Sequence, residues 1–351
     1  MGLDRRSFLA GGAALSTVAL TRGTVGATVD NDDVATPWSS PVGGGLVVYS
    51  GRNEGLVGPL IEKATTDLGI DIEVRYAGTS ELAATVLEEG ENSPADVFFS
   101  QDAGALGALA KAGLLAPLPE DLLEQVDERF RSSEGLWVGT SGRARVLVYN
   151  TETVDPATLP ASVEVLTDEA WAGQVGWAPT NASFQTFITA FRLIKGEDAA
   201  RAWLEAMQAN GTVTFEGNAD IVRAVAAGEI SAGLVNHYYK YEIEKEEGAE
   251  LPVENHFFEA GDVGSLVNVA GVGILATADN TEQAEAFVRY LLAEEAQTYF
   301  AEETAEYPLS ADVEPAFELQ PLVDIQGPGI DLNDLDDLEG TVELLTEVGI
   351  I

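Results

Sequence analysis

The stretch Leu46-Val47-Val48-Tyr49-Ser50-Gly51-Arg52-Asn53 is a short apolar strand running into a turn, and the pattern of the next fifty residues decides the fold. Residues 54–68 set Leu56, Leu60, Ile61 and Ala64 at helical spacing, and residues 70–76 alternate as Ile70, Ile72, Val74 and Tyr76, a second strand. Thr79 is expected to cap another helix that ends near Glu89, with Gly90 beyond it. Ala95-Asp96-Val97-Phe98-Phe99-Ser100 is a third strand, and residues 103–112 form a third helix. Such alternation predicts an α/β fold with a mainly parallel sheet covered by helices on both faces. Ligands of these sheets sit outside the carboxyl ends of the strands, here residues 50–53 and 100–102.

Outward from this core, residues 1–27 carry Arg5-Arg6 before an apolar, small-residue run, the form of a twin-arginine export signal. The run is too short to span a bilayer as a helix. Residues 28–43, with Pro37, Pro41 and glycines, read as a polar linker. On the other side, Arg143-Ala144-Arg145-Val146-Leu147-Val148-Tyr149-Asn150 is a strong strand able to cross between lobes. A second α/β unit comes after it. Val175-Gly176-Trp177 leads through Pro179-Thr180-Asn181-Ala182-Ser183 into a helix, and residues 198–209 form the next. Asn218 is expected to cap residues 219–227, with Gly228 closing that helix. Residues 266–276 are strand-like, and helices are expected at 281–292, from Glu294, and at 338–348.

The charge is extreme: 59 acidic against 18 basic residues, net -41 over 351 residues, with acids in nearly every segment. Self-repulsion of this kind weakens a compact state unless ions screen it, over a Debye length of ~3 Å at 1 M salt. It reads as a halophilic coat and excludes a nucleic-acid partner, since nothing here would displace counterions from phosphates. There is no cysteine, hence no disulfide, no thiolate metal site and no lipobox for acylation.

Asn236-His237-Tyr238-Tyr239 ends the apolar run from Ala232. Two adjacent phenols are a hard-oxygen pair suited to a ferric ion, although phenols ionise only near pH ~10 and need a strongly Lewis-acidic cation to do so at neutrality. By itself such a pair more often fills a core or a domain junction. Alternation along an extended segment turns His237 away from the tyrosines' side. Tyr149 lies in a strand and reads as structural.

Taken together, Val48-Tyr49-Ser50-Gly51, Ser93-Pro94-Ala95-Asp96-Val97-Phe98, Ala112-Gly113-Leu114-Leu115-Ala116-Pro117, Ser141-Gly142-Arg143, Asn236 to Tyr239, Asp262 to Leu266 and Glu306-Tyr307-Pro308-Leu309 resemble, in order, the ferric-iron-binding solute-binding proteins of ABC transporters. The resemblance implies a two-lobed, periplasmic-binding-protein-like α/β fold with crossing hinge strands. It implies a first lobe from residues 44–143 plus 268–318 and a second from 144–267 plus 319–351. It further implies ferric iron held by Tyr238 and Tyr239, and a small anion such as carbonate or phosphate held by Ser141, Gly142, Arg143, Thr180, Asn181, Ala182, Ser183, Asn218 and Asn236. The implied protein is an exported, extracellular or cell-surface monomer without enzymatic activity, delivering iron to a permease with its ATPase.

The sequence departs from the family at the first lobe. Well-known members add a histidine and a glutamate there, where this chain has Asn53 and Gln101, neutral amides, with Asp102 as a neighbouring acid that either substitutes as a ligand or caps the helix from Ala103. That departure keeps open a receptor for an oxyanion or a small organic acid. An extracellular hydrolase is a distant third: only His237 and His256 are present, and neither Gly-x-Ser-x-Gly nor His-Glu-x-x-His occurs.

Overall fold

A computed structural model describes residues 45–309 and 313–351; the expected signal segment and linker lie outside the described residues. The βα alternation is present as β1 (Leu46–Ser50), α1 (Glu54–Leu68), β2 (Ile72–Tyr76), α2 (Thr79–Glu89), β3 (Val97–Ser100) and α3 (Ala103–Lys111). After the short α4 (Glu120–Leu123) comes β4 (Val138–Asn150), and then β5 (Val175–Trp177), α5 (Ala182–Lys195), α6 (Glu197–Ala209) and β6 (Val213–Thr214). The chain continues through α7 (Asn218–Ala226), β7 (Ala232–Asn236), α8 (Tyr239–Glu247), β8 (Val253–His256) and β9 (Val267–Ile274). It ends with α9 (Thr281–Leu292), α10 (Glu294–Glu303), β10 (Tyr307–Pro308) and α11 (Leu338–Glu347).

The strands follow the order β2-β1-β3-β9-β4-β7-β5-β6. β1 is parallel to β2 and β3, and β5 is parallel to β6 and β7. These are the two mainly parallel half-sheets of a two-lobed α/β protein, and β4 belongs to both. Its first part pairs antiparallel with β9 as far as Ala144 opposite Val267, and its second part pairs with β7 from Arg145 opposite Asn236. Such a strand must be buried on both faces, and the sequence supplies it: Val146, Leu147 and Val148 are completely buried, each burial stabilising by roughly 1.5–3 kcal/mol.

The segment after β10 contacts helices of both halves. The 3-10 turn Leu332–Asp336 lies on α3. There the carbonyl oxygens of Leu335 and Asn333 come closer to Gly104 and Gly107 than any Cβ atom would tolerate, so only glycine admits the approach. The Trp137 indole N–H donates to Asn333 Oδ1 at 2.7 Å, and Lys111 pairs with Asp336 at 2.8 Å. α11 then lies on α5, where the Thr189 and Thr341 hydroxyls meet at 2.7 Å and Arg192 pairs with Asp337 at 2.9 Å.

Two local expectations fail. Asn218 does not cap its helix; Gly217 occupies that position and Asn218 is the first helical residue, buried. Thr79 likewise starts α2 after Gly78, and its hydroxyl donates to the Gly51 carbonyl at 3.1 Å. Among the described residues no helix is long and apolar enough to cross a membrane.

Candidate functional site

A cavity of about 130 Å³ lies where β4 changes partners, lined from one half-sheet by Gln101, Asp102, Arg143 and Asn268 and from the other by Arg145, Asn181, Ala182, Ser183, Asn236, Tyr238 and Tyr239. The tyrosines occupy a strand-to-helix turn: Asn236 ends β7, Tyr238 has helical backbone angles, and Tyr239 begins α8. In a helical turn adjacent side chains are not sent to opposite faces as they are in a strand. The two rings accordingly stack, 4.4 Å between centroids and 27° between planes. Burial pushes the Tyr238 phenol well above its usual value, reinforced by Tyr239 and opposed by the Arg143 charge. It therefore stays protonated at neutral pH.

His237 is fully buried and faces away from the cavity. The Ala144 backbone N–H donates to its Nδ1 at 3.2 Å, which places the proton on Nε2, and Nε2–H donates to the Ala305 carbonyl at 2.9 Å. Its ring lies 4.7 Å from that of Tyr307 and edge-on to Tyr238 at 5.9 Å. Burial pushes the imidazole down to about 4, so it is a neutral strut beneath the tyrosine turn. Tyr149 is buried in β4 and takes no part in the cavity, as expected.

Two guanidiniums reach the cavity from β4. Arg143 donates through Nη2 to the Gln101 carbonyl, and its Nε stands 3.7 Å from Glu306. Glu306 is buried and also accepts from Arg52 Nη2 at 2.7 Å, Ser141 Oγ at 2.9 Å and Thr304 Oγ1 at 3.0 Å. Burial alone would raise this carboxyl, but Arg52, Arg143 and the donated hydrogen bonds hold it below the usual carboxylate range. Arg145 is different. It is 3% exposed, donates through Nη1 to Ser183 Oγ and Asn236 Oδ1, each at 3.2 Å, and leans on the Phe187 ring at 5.7 Å. Among the described residues its Nε and Nη2 have no partner, and no carboxylate pairs with it. Burial pushes it down to about 10, opposed by the two tyrosines. A buried cation with idle donors facing phenols is a site that draws anions.

The α5 N-terminus completes this wall. Asn181 Oδ1 accepts from the Ser183 backbone N–H at 3.0 Å, and Asn218 Nδ2 braces Asn181 and Ser183 from behind at 3.3 and 3.2 Å.

Of the expected site residues, the structure brings together Tyr238, Tyr239, Arg143, Asn181, Ala182, Ser183, Asn236, Gln101 and Asp102. It leaves out five. Ser141 and Gly142 are buried behind the cavity, the first bound to Arg52 and Glu306 and the second paired with Tyr307. Thr180 is exposed in the loop before α5. Asn218 is a brace beneath the cavity wall and does not line it. Asn53 is exposed and caps α1, accepting from the Gly55 N–H at 2.8 Å. Sequence reasoning missed Arg145 and Asn268. Arg145 had a signal, because residues two apart on a strand share a face, so Arg143 and Arg145 had to point the same way. Asn268, within a strand of mostly apolar residues, had none.

Comparison with known proteins bears on this geometry. The profile of the bacterial extracellular solute-binding protein family matches residues 92–325. An Fe(3+)-binding periplasmic protein of Serratia marcescens is 34% identical over 309 residues, covering 88% of this chain and 91% of its own. Iron-bound HitA of Pseudomonas aeruginosa superposes with a TM-score of 0.80 at 32% identity, covering 88% of this chain and 100% of that one. A Trichodesmium FutA (IdiA) structure with iron and citrate does so at 0.77 and 30%, covering 87% and 99%. The chain belongs to the bacterial extracellular solute-binding protein family, within which it resembles proteins that bind ferric iron.

Proposed function

We propose that this protein is an exported receptor that captures ferric iron with a small anion between its two lobes and delivers it to an ABC permease and its ATPase. The observation that carries this reading is the stacked Tyr238–Tyr239 pair facing a buried Arg145 whose Nε and Nη2 are idle. Phenol oxygens are hard donors suited to a trivalent cation, and the guanidinium suits a carbonate or phosphate bridging to it. Among the described residues no three His, Asp or Glu side chains converge, so phenols are the natural ligands. The volume, about 130 Å³, suits an ion with a small anion better than a drug-sized ligand, which takes roughly 300 Å³ or more.

In this reading the lobes are residues 44–143 plus 268–318 and 144–267 plus 319–351, and they close as rigid bodies on the cargo. Export uses the twin-arginine segment 1–27. The receptor works as a monomer, and its acidic coat is a halophile's, stable when salt screens it.

The test is a titration of the mature protein at high salt with a labile ferric chelate, with and without carbonate or phosphate, monitored by visible absorption. A phenolate-to-iron band saturating at one metal per chain, strengthened by the anion, is expected. Anion binding with no such band would favour the second reading, a receptor for an oxyanion or small organic acid, which the idle Arg145 donors also fit.

A further inference from the structure

We propose that Asn268 contacts the ligand of this cavity, as the amide donor through which β9 grips an oxyanion. The inference deepens the reading above and rests on its anion, whether or not iron accompanies it. Asn268 lies in β9 (Val267–Ile274), directly opposite Arg143 of β4. Cross-strand partners share a face of the sheet, and Arg143 shares that face with Arg145, two residues on. All three line the cavity. The floor where β4 changes partners is therefore furnished with nitrogen donors from both half-sheets.

The orientation of the Asn268 amide is fixed by its neighbours. Its Oδ1 accepts from the Val269 N–H at 2.8 Å and from the Ala103 N–H at 3.3 Å, which also braces the start of α3 against β9. Turning the amide over would set its NH2 against two N–H groups, so the oxygen faces the backbone and the nitrogen is left over. Among the described residues Nδ2 has no partner, and Asn268 is only half-buried. A nitrogen so placed at a cavity wall offers its protons to whatever occupies the cavity. An anion there accepts from Asn268 on one side and from the idle Nε and Nη2 of Arg145 on the other. Arg143 adds charge more than donors, since its Nη2 is given to the Gln101 carbonyl and its Nε stands beside Glu306. Donors converging from two half-sheets select a ligand with acceptor oxygens on more than one side, such as phosphate, carbonate or a small carboxylate.

Two substitutions separate donation from bracing. Asn268→Asp keeps an acceptor for the Ala103 and Val269 amides, so its metal-free melting temperature should match that of the unchanged protein. Asn268→Ala loses the brace and should melt lower, but it adds no charge. The donor is missing from both. Phosphate is the probe, titrated at high salt by calorimetry into metal-free protein and by its enhancement of iron uptake from a labile ferric chelate. Phosphate affinity and enhancement should fall roughly ten- to hundredfold in both variants, the effect of losing one hydrogen bond to a charged group. Undiminished phosphate binding in either folded variant would overturn the proposal, reducing Asn268 to a brace if the aspartate variant is the one that binds. If the unchanged protein itself responds to phosphate in neither assay, the anion reading fails first and the assignment falls with it; if calorimetry shows phosphate binding but no iron band appears, the ferric reading alone fails and the calorimetric comparison still decides the role of Asn268.

Discussion

The two walls of the cleft start from the same kind of element, a strand running into a helix, and are furnished differently. Where β7 enters α8, the turn presents two phenols, backed by a buried imidazole and an arginine with idle donors. Where β3 enters α3, the turn presents an amide and a carboxyl whose Oδ1 is committed to the helix. The first wall has surplus chemistry, since arginine donors there have no partner among the described residues. On the second the buried idle groups are Gln101 Oε1 and Arg143 Nε, and that guanidinium already has Glu306 beside it. A ligand therefore gains most of its contacts on the β7–α8 wall and only completes them on the other, which fits a receptor that binds to one lobe and closes the second over it.

The largest test of this asymmetry is Tyr238→Phe combined with Tyr239→Phe. Each change removes one oxygen, so the fold should stay and ferric binding should vanish, with no charge-transfer band in an absorption titration. Tight iron binding in that variant would invert the comparison, making the α3 wall the principal one.

A second test concerns what supports each wall. His237 is neutral in the fold, pushed down to about 4, while an unfolded chain protonates it near pH ~6.5. Between those values the unfolded state binds the extra proton, so stability falls as pH drops from ~6.5 towards 4, by on the order of 3 kcal/mol. Glu306 follows the same rule in a lower window. Its folded value is depressed, so its contribution is present above the unfolded carboxylate value and is lost at still lower pH, as Glu306 protonates. In acid titrations monitored by circular dichroism, His237→Gln should flatten the upper window and leave the lower one. Loss of both windows together would mean that the two supports are one network.

The smallest effect is Arg145→Gln. It should reduce the anion's enhancement of iron binding roughly ten- to hundredfold, as for one charge-assisted contact, with little change in iron binding where no anion is added. An anion effect untouched by this change would move the anion to Arg143 and the opposite wall.

The fold was legible because its signals are local. Strand-helix alternation from Leu46 onward and the apolar run in β4 each need only a few neighbouring residues to be read. The site was partly legible for the same reason: the tyrosine pair is contiguous and announces itself. Distances across the chain were not legible. Ser141 and Gly142 sit in the right motif but are drawn behind the cavity by Arg52, Glu306 and Tyr307 from remote segments. Asn218 has the composition of a cap, yet tertiary packing turned its side chain to Asn181 and Ser183. Whether an asparagine caps a helix or braces its neighbour is decided by what arrives opposite it, and that is not encoded within a few residues.

The segment laid over Gly104 and Gly107 bears on the order in which the molecule is completed. Among the described residues every strand of the sheet lies at or before Pro308, so all of that strand pairing is available before residues 313–351 have left the ribosome. Trp137 still lacks its acceptor then, the two glycines are uncovered, and Lys111 and Arg192 lack their acidic partners from residues 334–337. Residues 332–347 thus supply the piece that spans α3 and α5, and a chain truncated after β10 would lack that bridge.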